Sequence, residues 1–488
     1  MKNIIFNEPK RLMLVFAVFL VLFLVVKIHY TDWVIGSDGL GYYAHLRSAV
    51  VDKDFHYANE FIEYNKFGHV VPDPYLRTET DHVPNKYFVG PAVLWTPFFL
   101  LAHILTIEAE NFGVKLVPDG YSVLYQFFIG LGSIIYGLIG LILIYKILLY
   151  FFQRKEALFA TILVTLSTNV LYYLTTEPTM THAMSLFAVS LFAYLWIKDI
   201  GDRTYRSVML LGIAAGLMTL IRPQDMLFSI LIVMELSGIF KLNASVAPSI
   251  FKRTTQAVLF GVCFLFTLIP QFIVWKILYG KFILYSYSGE GFNLFSPHLL
   301  DTLFSAYHGL ISWTPAILPA LAGLVLFRRK QPKIWAILLT AFALQWYLNA
   351  AWWCWWFGVS FGNRAYISCS FIFAIGLAAI LSESQKWTLT VRFISVALIV
   401  WNLLFISQFT LGMLPHNETV VWKQVFINQY KVIDKGIKLL PLHKAALCFS
   451  REDAKAQRTF FSCLSCVYWF KSIFTVNPHD QGLARPRA

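Results

Sequence analysis

The residues best suited to do chemistry begin with the run Gly36-Ser37-Asp38-Gly39-Leu40-Gly41-Tyr42-Tyr43-Ala44. Asp38 has small neighbours on both sides, which let a ligand or a backbone approach closely. A carboxylate in such a place can act in catalysis or bind a metal ion. The alternative is an N-cap, in which Ser37 or Asp38 begins a helix through Tyr42–Val50. We predict a catalytic or metal-binding role for Asp38, and we include Tyr42 as a substrate-binding candidate.

Two more ionisable residues, Glu177 and His182, fall within the short segment Thr176-Glu177-Pro178-Thr179-Met180-Thr181-His182. Ionisable groups at the edge of a membrane are costly unless they are paired, so they are functional candidates. The alternative is a mutual hydrogen bond that fixes the turn. We predict that Glu177 is catalytic and that His182 binds substrate.

Three cations lie at the ends of apolar segments, and they are Lys86, Arg222 and Arg364. Lysine meets a phosphate as a compact point charge, and arginine offers a bidentate fork. The alternatives are snorkelling to lipid headgroups and anchoring at the interface. His308, in Tyr307–Pro315, can donate to a phosphate or a sugar hydroxyl, or it can pack. We predict that all four residues bind substrate.

Composition indicates what kind of scaffold positions these residues. Hydrophobic residues are 58% of the chain and charged residues 14%, with a mean hydropathy of +0.61. These values are typical of a polytopic membrane protein and not of a soluble globular one. The formal net charge is +13, but the basic residues lie in short loops between apolar segments, as the positive-inside rule expects. We therefore expect membrane lipids as partners and no nucleic acid.

Apolar segments long enough to cross a bilayer predict an all-α polytopic membrane protein with about eleven transmembrane helices. The candidate spans are 11–28, 121–150, 157–174, 183–197, 207–220, 226–239, 255–279, 302–327, 334–350, 365–381 and 388–411. A further apolar run, 87–107, contains Pro91 and Pro97, and a proline inside a helix removes a backbone hydrogen bond and kinks or breaks it. A total of about twelve spans is therefore also possible.

The distribution of lysine and arginine predicts the orientation. Positive charge at residues 2, 10 and 11 puts the N-terminus in the cytoplasm, and the first apolar segment is a signal anchor because no cleavage site follows it. Basic residues at 146, 154 and 155 make the span 121–150 run inward. Since the first span ends outside, the segment 87–107 does not cross and lies at the external interface.

This orientation divides the chain into a large domain and a tail. Residues 29–120 form an extracytoplasmic catalytic loop with interfacial helices, within a transmembrane domain that covers 1–413. The tail, 414–488, is extracytoplasmic or interfacial, and its apolar patch 459–476 either lies at the interface or crosses the membrane. We expect the protein in the inner (plasma) membrane, with its active site facing outward.

The order of the short motifs resembles that of the GT-C superfamily of integral-membrane glycosyltransferases, which includes protein O-mannosyltransferases and lipid A aminoarabinose transferases. The motifs are Asp38–Tyr43, Glu177–His182, Arg222-Pro223, His308–Pro315 and Phe361–Arg364. The resemblance covers about the first 410 residues. It implies a GT-C-like fold with a large first extracytoplasmic loop that contains juxtamembrane helices.

The resemblance also implies an activity. A hexose or pentose would pass, with inversion, from a polyprenyl-phosphate donor to a glycan, lipid or protein acceptor, aided by a divalent cation such as Mg²⁺ or Mn²⁺. Asp38 would be the base or metal ligand, Lys86 the contact to the donor phosphate and Glu177 a second acidic residue. The aminoarabinose enzymes have Lys-Pro-Pro where this chain has Lys86-Tyr87-Phe88. The Asp-Glu pair of the protein O-mannosyltransferases is absent, since Gly39 follows Asp38, which argues against that acceptor class.

Two other functions fit a membrane protein that handles lipid-linked sugars. A lipid-linked saccharide flippase or transporter should line a path at the membrane midplane with ionisable residues, whereas here they gather at one face. An O-antigen ligase or polymerase usually has its large loop late in the chain, whereas here the large loop comes early. We therefore favour the glycosyltransferase.

Overall fold

The computed structural model describes residues 8–31, 33–66, 72–240, 249–383 and 388–439. Within these ranges the regular elements are helical, apart from a single antiparallel bridge between Phe292 and Trp352. This confirms the predicted all-α class. The predictions made for residues 440–488, including the apolar patch 459–476, lie outside the described residues.

The first 150 residues contain the large predicted loop between two long helices. The helices here are α1 (Glu8–Thr31), α2 (Gly39–Arg47), α3 (Ala58–Lys66), α4 (Gly90–Asn111) and α5 (Val123–Leu148). A π-helical turn over Ser48–Asp52 extends α2. The loop is therefore built around helices, as predicted.

The rest of the described chain is a series of helices of very different length. They are α6 (Arg154–Leu166), α7 (Val170–Thr175), α8 (His182–Lys198), α9 (Tyr205–Ile221), α10 (Ile230–Ser237), α11 (Ile250–Thr267), α12 (Ile269–Tyr279), α13 (Asp301–Phe304), α14 (Leu310–Trp313), α15 (Ile317–Lys330), α16 (Pro332–Ala351), α17 (Ser370–Glu383), α18 (Thr388–Thr410) and α19 (Trp422–Leu439). Short 3-10 helices, Pro223–Ser229 and Arg364–Cys369, precede α10 and α17.

Among the described residues, 7 helices are long and apolar enough to cross a membrane. They are Lys10–Ile28, Gly90–Asn111, Val123–Leu148, Ile250–Thr267, Pro332–Ala351, Arg364–Glu383 and Leu389–Thr410, and two shorter apolar helices, α8 and α9, accompany them. These helices confirm a multi-pass membrane protein. The number of about eleven spans stays a prediction.

The structure divides several of the predicted spans into shorter helices, and two of them show the cause. The span 255–279 is interrupted between α11 and α12, where Pro270 occupies the first turn of the second helix, a position that proline tolerates. The span 302–327 becomes α13, α14 and α15. Thr314, with a φ of −129°, follows α14, and α13 and α14 are separated by a segment in which His308 has a φ of +59°. A left-handed residue cannot continue a right-handed helix.

The segment that carries Pro91 and Pro97 forms one continuous helix, α4. The expectation that its prolines break it is wrong. Pro91 lies in the first helical turn, where no backbone hydrogen bond is lost, and the helix accommodates Pro97 in its interior. Its length and composition suit a membrane span, and its placement at the external interface stays a prediction.

Candidate active site

A cavity of about 330 Å³ brings together six of the eight residues predicted to act. They are Asp38, Tyr42, Lys86, His182, Arg222 and Arg364. Each lies at or near a helix end: Asp38 immediately before α2, His182 at the start of α8 and Arg222 immediately after α9. The volume is in the range of small-molecule sites. These polar groups, far apart in the sequence, can therefore act on one ligand.

The carboxylate of Asp38 faces the cavity. The residue occupies the N-cap position of α2, but its side chain makes no capping hydrogen bond. Instead, the Tyr87 hydroxyl donates to Oδ1 at 3.0 Å, and Nη2 of Arg364 lies 3.1 Å from Oδ2. Ser37, immediately before, has a φ of +52°. The N-cap alternative therefore explains the position of Asp38 in the chain and not the direction of its side chain.

A buried layer behind the cavity holds Tyr87. His45 is 2% exposed; its Nε2 lies 2.9 Å from the Tyr87 carbonyl and its Nδ1 lies 2.7 Å from the Tyr57 hydroxyl. Since a carbonyl only accepts, Nε2 carries the proton and Nδ1 accepts from Tyr57. Burial lowers the pKa of His45 to about 4. A neutral imidazole therefore fixes the backbone beside the hydroxyl that contacts Asp38.

Arg222 is a buried cation whose hydrogen-bond partners are neutral. It is 7% exposed. Its Nη1 lies 2.6 Å from Nδ1 of His182, and its Nε and Nη2 donate to the side-chain oxygen of Gln224, the first at 3.0 Å. Among the described residues it forms no direct ion pair; the carboxylate of Asp225 lies within range of its charge and accepts from the Ser185 hydroxyl at 2.5 Å. Because arginine only donates, Nδ1 of His182 accepts and its Nε2 carries the proton.

Lys86 is paired with a residue that the sequence analysis missed, Glu290. The Lys86 ammonium forms an ion pair with Oε1 of Glu290, and both residues line the cavity. The hydroxyl of Ser286 also donates to the Lys86 carbonyl at 2.8 Å. Glu290 stands between Gly289 and Gly291. A carboxylate between small residues in a predicted external loop is the same signal that singled out Asp38, and it could have found Glu290.

The remaining two candidates, Glu177 and His308, do not line this cavity. The alternative of a Glu177–His182 hydrogen bond is not found in the described residues, because Nδ1 of His182 faces Arg222. His308 is fully buried, with Nδ1 2.9 Å from the Trp356 carbonyl. That geometry favours the packing alternative for His308. The predicted roles of these two residues stay predictions.

The side chains around the cavity do not suit a resident metal ion. Within the described residues there is no group of three or more His, Cys, Asp and Glu that could hold one. The two carboxylates that line the cavity, Asp38 and Glu290, are each paired with a cation. The predicted divalent cation, with Asp38 as its ligand, stays a prediction.

Comparisons with known proteins find a family match over part of the chain. Residues 125–275 match the family described as dolichyl-phosphate-mannose-protein mannosyltransferase. No curated protein sequence matches the chain. Two solved structures of ArnT from Cupriavidus metallidurans, in the apo state and bound to undecaprenyl phosphate, are similar at 12% identity and a TM-score of 0.49. The alignments cover 95% and 96% of this chain and 76% and 77% of ArnT.

A third solved structure is the archaeal oligosaccharyltransferase AglB from Archaeoglobus fulgidus, in complex with an inhibitory peptide and a dolichol-phosphate. It is 11% identical, with a TM-score of 0.38, and the alignment covers 96% of this chain and 60% of AglB. The matched family segment, 125–275, contains His182 and Arg222 of the cavity. The family match therefore confirms the predicted resemblance to the GT-C superfamily of integral-membrane glycosyltransferases.

Proposed function

We propose that the protein transfers a sugar from a polyprenyl-phosphate-linked donor to an acceptor on the extracytoplasmic side of the inner membrane. The observation that carries this proposal is the composition of the cavity. A carboxylate held by two partners and a buried arginine whose hydrogen bonds go to neutral side chains line the same space. The carboxylate is suited to act as a base, and the arginine is suited to bind an anion. The family match of residues 125–275 supports the same reaction class.

Asp38 is the base in this proposal. A hydroxyl acceptor is a weak nucleophile, so a carboxylate must take its proton as the new bond forms. Arg364 and Tyr87 fix the two carboxylate oxygens, which limits the rotation of the carboxylate before the reaction. A reacting group that is already fixed loses less entropy on the way to the transition state. The two contacts make Arg364 and Tyr87 positioning residues for Asp38.

Arg222 receives the phosphate of the donor. The acceptor oxygen attacks the anomeric carbon, the bond from that carbon to the phosphate oxygen breaks, and the phosphate leaves with the electron pair. The acceptor proton goes to Asp38. The leaving oxygen gains negative charge, which a guanidinium aimed into a half-closed cavity stabilises. Direct displacement by one acceptor inverts the anomeric centre.

Aromatic side chains offer a surface for the sugar. Tyr42, Tyr287 and Trp352 all line the cavity, and the ring of Tyr287 lies 6.0 Å from that of Trp352. Rings of this kind combine a large apolar face with a polar edge. Of the four tryptophans between 352 and 356, only Trp352 belongs to the described lining. The sugar would therefore lie between Asp38 and this aromatic wall.

Sugar transfer by purified protein tests the proposal. Detergent-solubilised wild type and Asp38→Asn would receive polyprenyl-phosphate donors with labelled sugars, and release of label from the lipid would be measured. We expect Asp38→Asn to lose turnover by about 10²- to 10⁴-fold, the usual contribution of a general base. The matched control is Asp81→Asn, which makes the same change at an exposed aspartate of the first large loop.

The outcomes also separate the alternatives. Equal turnover by Asp38→Asn and wild type would refute the role of Asp38 as base. Movement of the lipid-linked sugar across a vesicle membrane without release of label would favour the flippase. Transfer of a saccharide chain in place of a single sugar would favour a ligase or polymerase.

A further inference from the structure

The Lys86–Glu290 ion pair joins two loops across the cavity. Lys86 lies just before α4, and Glu290 lies in the loop between α12 and α13. The lysine side chain is 35% exposed and the glutamate side chain 20% exposed. The indole Nε1 of Trp353 also lies 3.4 Å from the second oxygen, Oε2, of Glu290. The pair is therefore partly open to the cavity and to solvent.

The loop that carries Glu290 is anchored on both sides of this residue. Before it, Ser286 donates to the Lys86 carbonyl at 2.8 Å. After it, the Asn293 amide donates to the Ala351 carbonyl at 2.6 Å, and Phe292 forms the bridge with Trp352. These contacts hold the loop when the carboxylate of Glu290 moves away from Lys86.

Glu290 itself lies at a loosely packed point between these anchors. Gly289 has a φ of +79°, and a Cβ added at Gly289 or at Gly291 would meet no atom within 4 Å. No side chain therefore packs against the backbone on either side of Glu290. Asp38 differs, because a Cβ at the neighbouring Gly39 would come within 2.9 Å of the Thr179 carbonyl oxygen. The backbone beside Glu290 is thus less closely packed than the backbone beside Asp38.

The carboxylates of the cavity neutralise two of its cations. Asp38 contacts Arg364, and Glu290 contacts Lys86. A ligand phosphate can reach Arg222 directly, but at the Lys86 ammonium it would lie beside the carboxylate of Glu290, and replacing that carboxylate removes the like-charge contact. An uncharged ligand gains nothing from that replacement, because it would leave the lysine without an anion.

We propose that Glu290 is a selectivity residue that occupies Lys86 until the phosphate of the ligand replaces it. The identity of that anion as the donor phosphate rests on the proposed function. In the exchange the phosphate contacts Arg222 and Lys86, and Glu290 turns toward Trp353 and solvent. Each anion that leaves Lys86 is replaced by another, so the ammonium stays paired. The cavity therefore prefers lipid phosphates to uncharged polyprenols.

Equilibrium binding of undecaprenyl phosphate and of undecaprenol to the full-length protein in detergent tests this exchange. Glu290→Gln removes the competing anion, so we expect undecaprenyl phosphate to bind about two- to fivefold more tightly, the range of a partly exposed ion pair. Binding of undecaprenol should not change. Lys86→Gln should weaken binding of the phosphate, and adding Glu290→Gln to it should give no gain. Glu79→Gln, the same change at an exposed residue, is the matched control.

Weaker or equal binding of undecaprenyl phosphate by Glu290→Gln would overturn the proposal, because it would mean that Glu290 only holds the loop. A second measurement does not depend on the lipid: the rate at which an acylating reagent modifies Lys86, followed by mass spectrometry. Release from Glu290 should make Lys86 react several times faster in Glu290→Gln, and an unchanged rate would contradict the pairing. If the wild type did not bind undecaprenyl phosphate, the proposed function would be refuted. Faster acylation of Lys86 in Glu290→Gln would still support the ion pair between Lys86 and Glu290.

Discussion

Replacing Arg222 by glutamine should weaken binding of the donor lipid without destabilising the protein. A buried arginine normally has a carboxylate partner, and removing one member of such a pair costs about 3–5 kcal/mol. Arg222 is 7% exposed, yet its partners are the neutral His182 and Gln224. We therefore expect the guanidinium to bind an anionic ligand of the cavity.

The expected magnitudes come from these contacts. Burial of an unpaired cation is unfavourable by several kcal/mol, and hydrogen bonds to a charged group return about 1.5–3 kcal/mol each. The two effects nearly cancel, so the free energy of unfolding of Arg222→Gln should stay within about 1 kcal/mol of the wild-type value. Loss of one charge-assisted contact to phosphate should weaken binding by about 10- to 150-fold.

Thermal unfolding with and without undecaprenyl phosphate measures both quantities. At a lipid concentration of about 100 times the wild-type Kd, binding should stabilise the wild type by about 2.7 kcal/mol. A hundredfold weaker variant should gain only about 0.4 kcal/mol. Arg77→Gln, at an exposed arginine of the first large loop, should behave like wild type. An apo variant that loses about 3–5 kcal/mol, or one that keeps the full lipid effect, would refute the reasoning.

Two further predictions concern the layer that holds Asp38. Gly41→Ala should reduce activity because the new Cβ would collide with the Tyr87 ring, even though alanine favours a helix by about 1 kcal/mol. Gly36→Ala is the control and should keep full activity, since its new Cβ would meet no atom within 4 Å. Equal activity of the two variants would contradict this prediction. His45→Gln should be less stable than wild type at pH 7, with a gap in Tm that narrows on acidification. The pKa of His45 falls from 6.5 to about 4 on folding. Its contribution to the free energy of unfolding, roughly 3 kcal/mol, is therefore present above pH 6.5 and is lost as the pH falls toward 4. A gap in Tm that stays constant with pH would contradict this prediction.

The sequence predicted the fold class and most of the cavity because both depend on residue type. Apolar length predicts membrane helices, and ionisable residues at their ends are costly enough to indicate function. Asp38, Lys86, Arg222 and Arg364 were selected in this way, and the structure brings them together.

Partnerships could not be predicted, because they depend on tertiary contacts between distant segments. The alternative considered for Glu177 and His182 was a mutual hydrogen bond, whereas Nδ1 of His182 faces Arg222, forty positions away. Tyr87 also received no predicted role, since aromatic residues at an interface are common. The Tyr87 hydroxyl contacts Asp38 because the loop before α4 lies against the start of α2, which is a tertiary contact.

The two carboxylates of the cavity differ in how firmly they are held, and this difference decides their roles. Asp38 has one contact on each oxygen, from Arg364 and from Tyr87, and its backbone lies against a packed turn. Glu290 has a lysine on one oxygen, whose single ammonium group imposes little geometry, a long 3.4 Å contact from Trp353 on the other, and glycines on both sides. A base must keep its position while the acceptor approaches, whereas a counter-ion that a ligand displaces must be able to leave. Exchanging the two residue types would therefore lose both functions, even though the net charge of the cavity would stay the same.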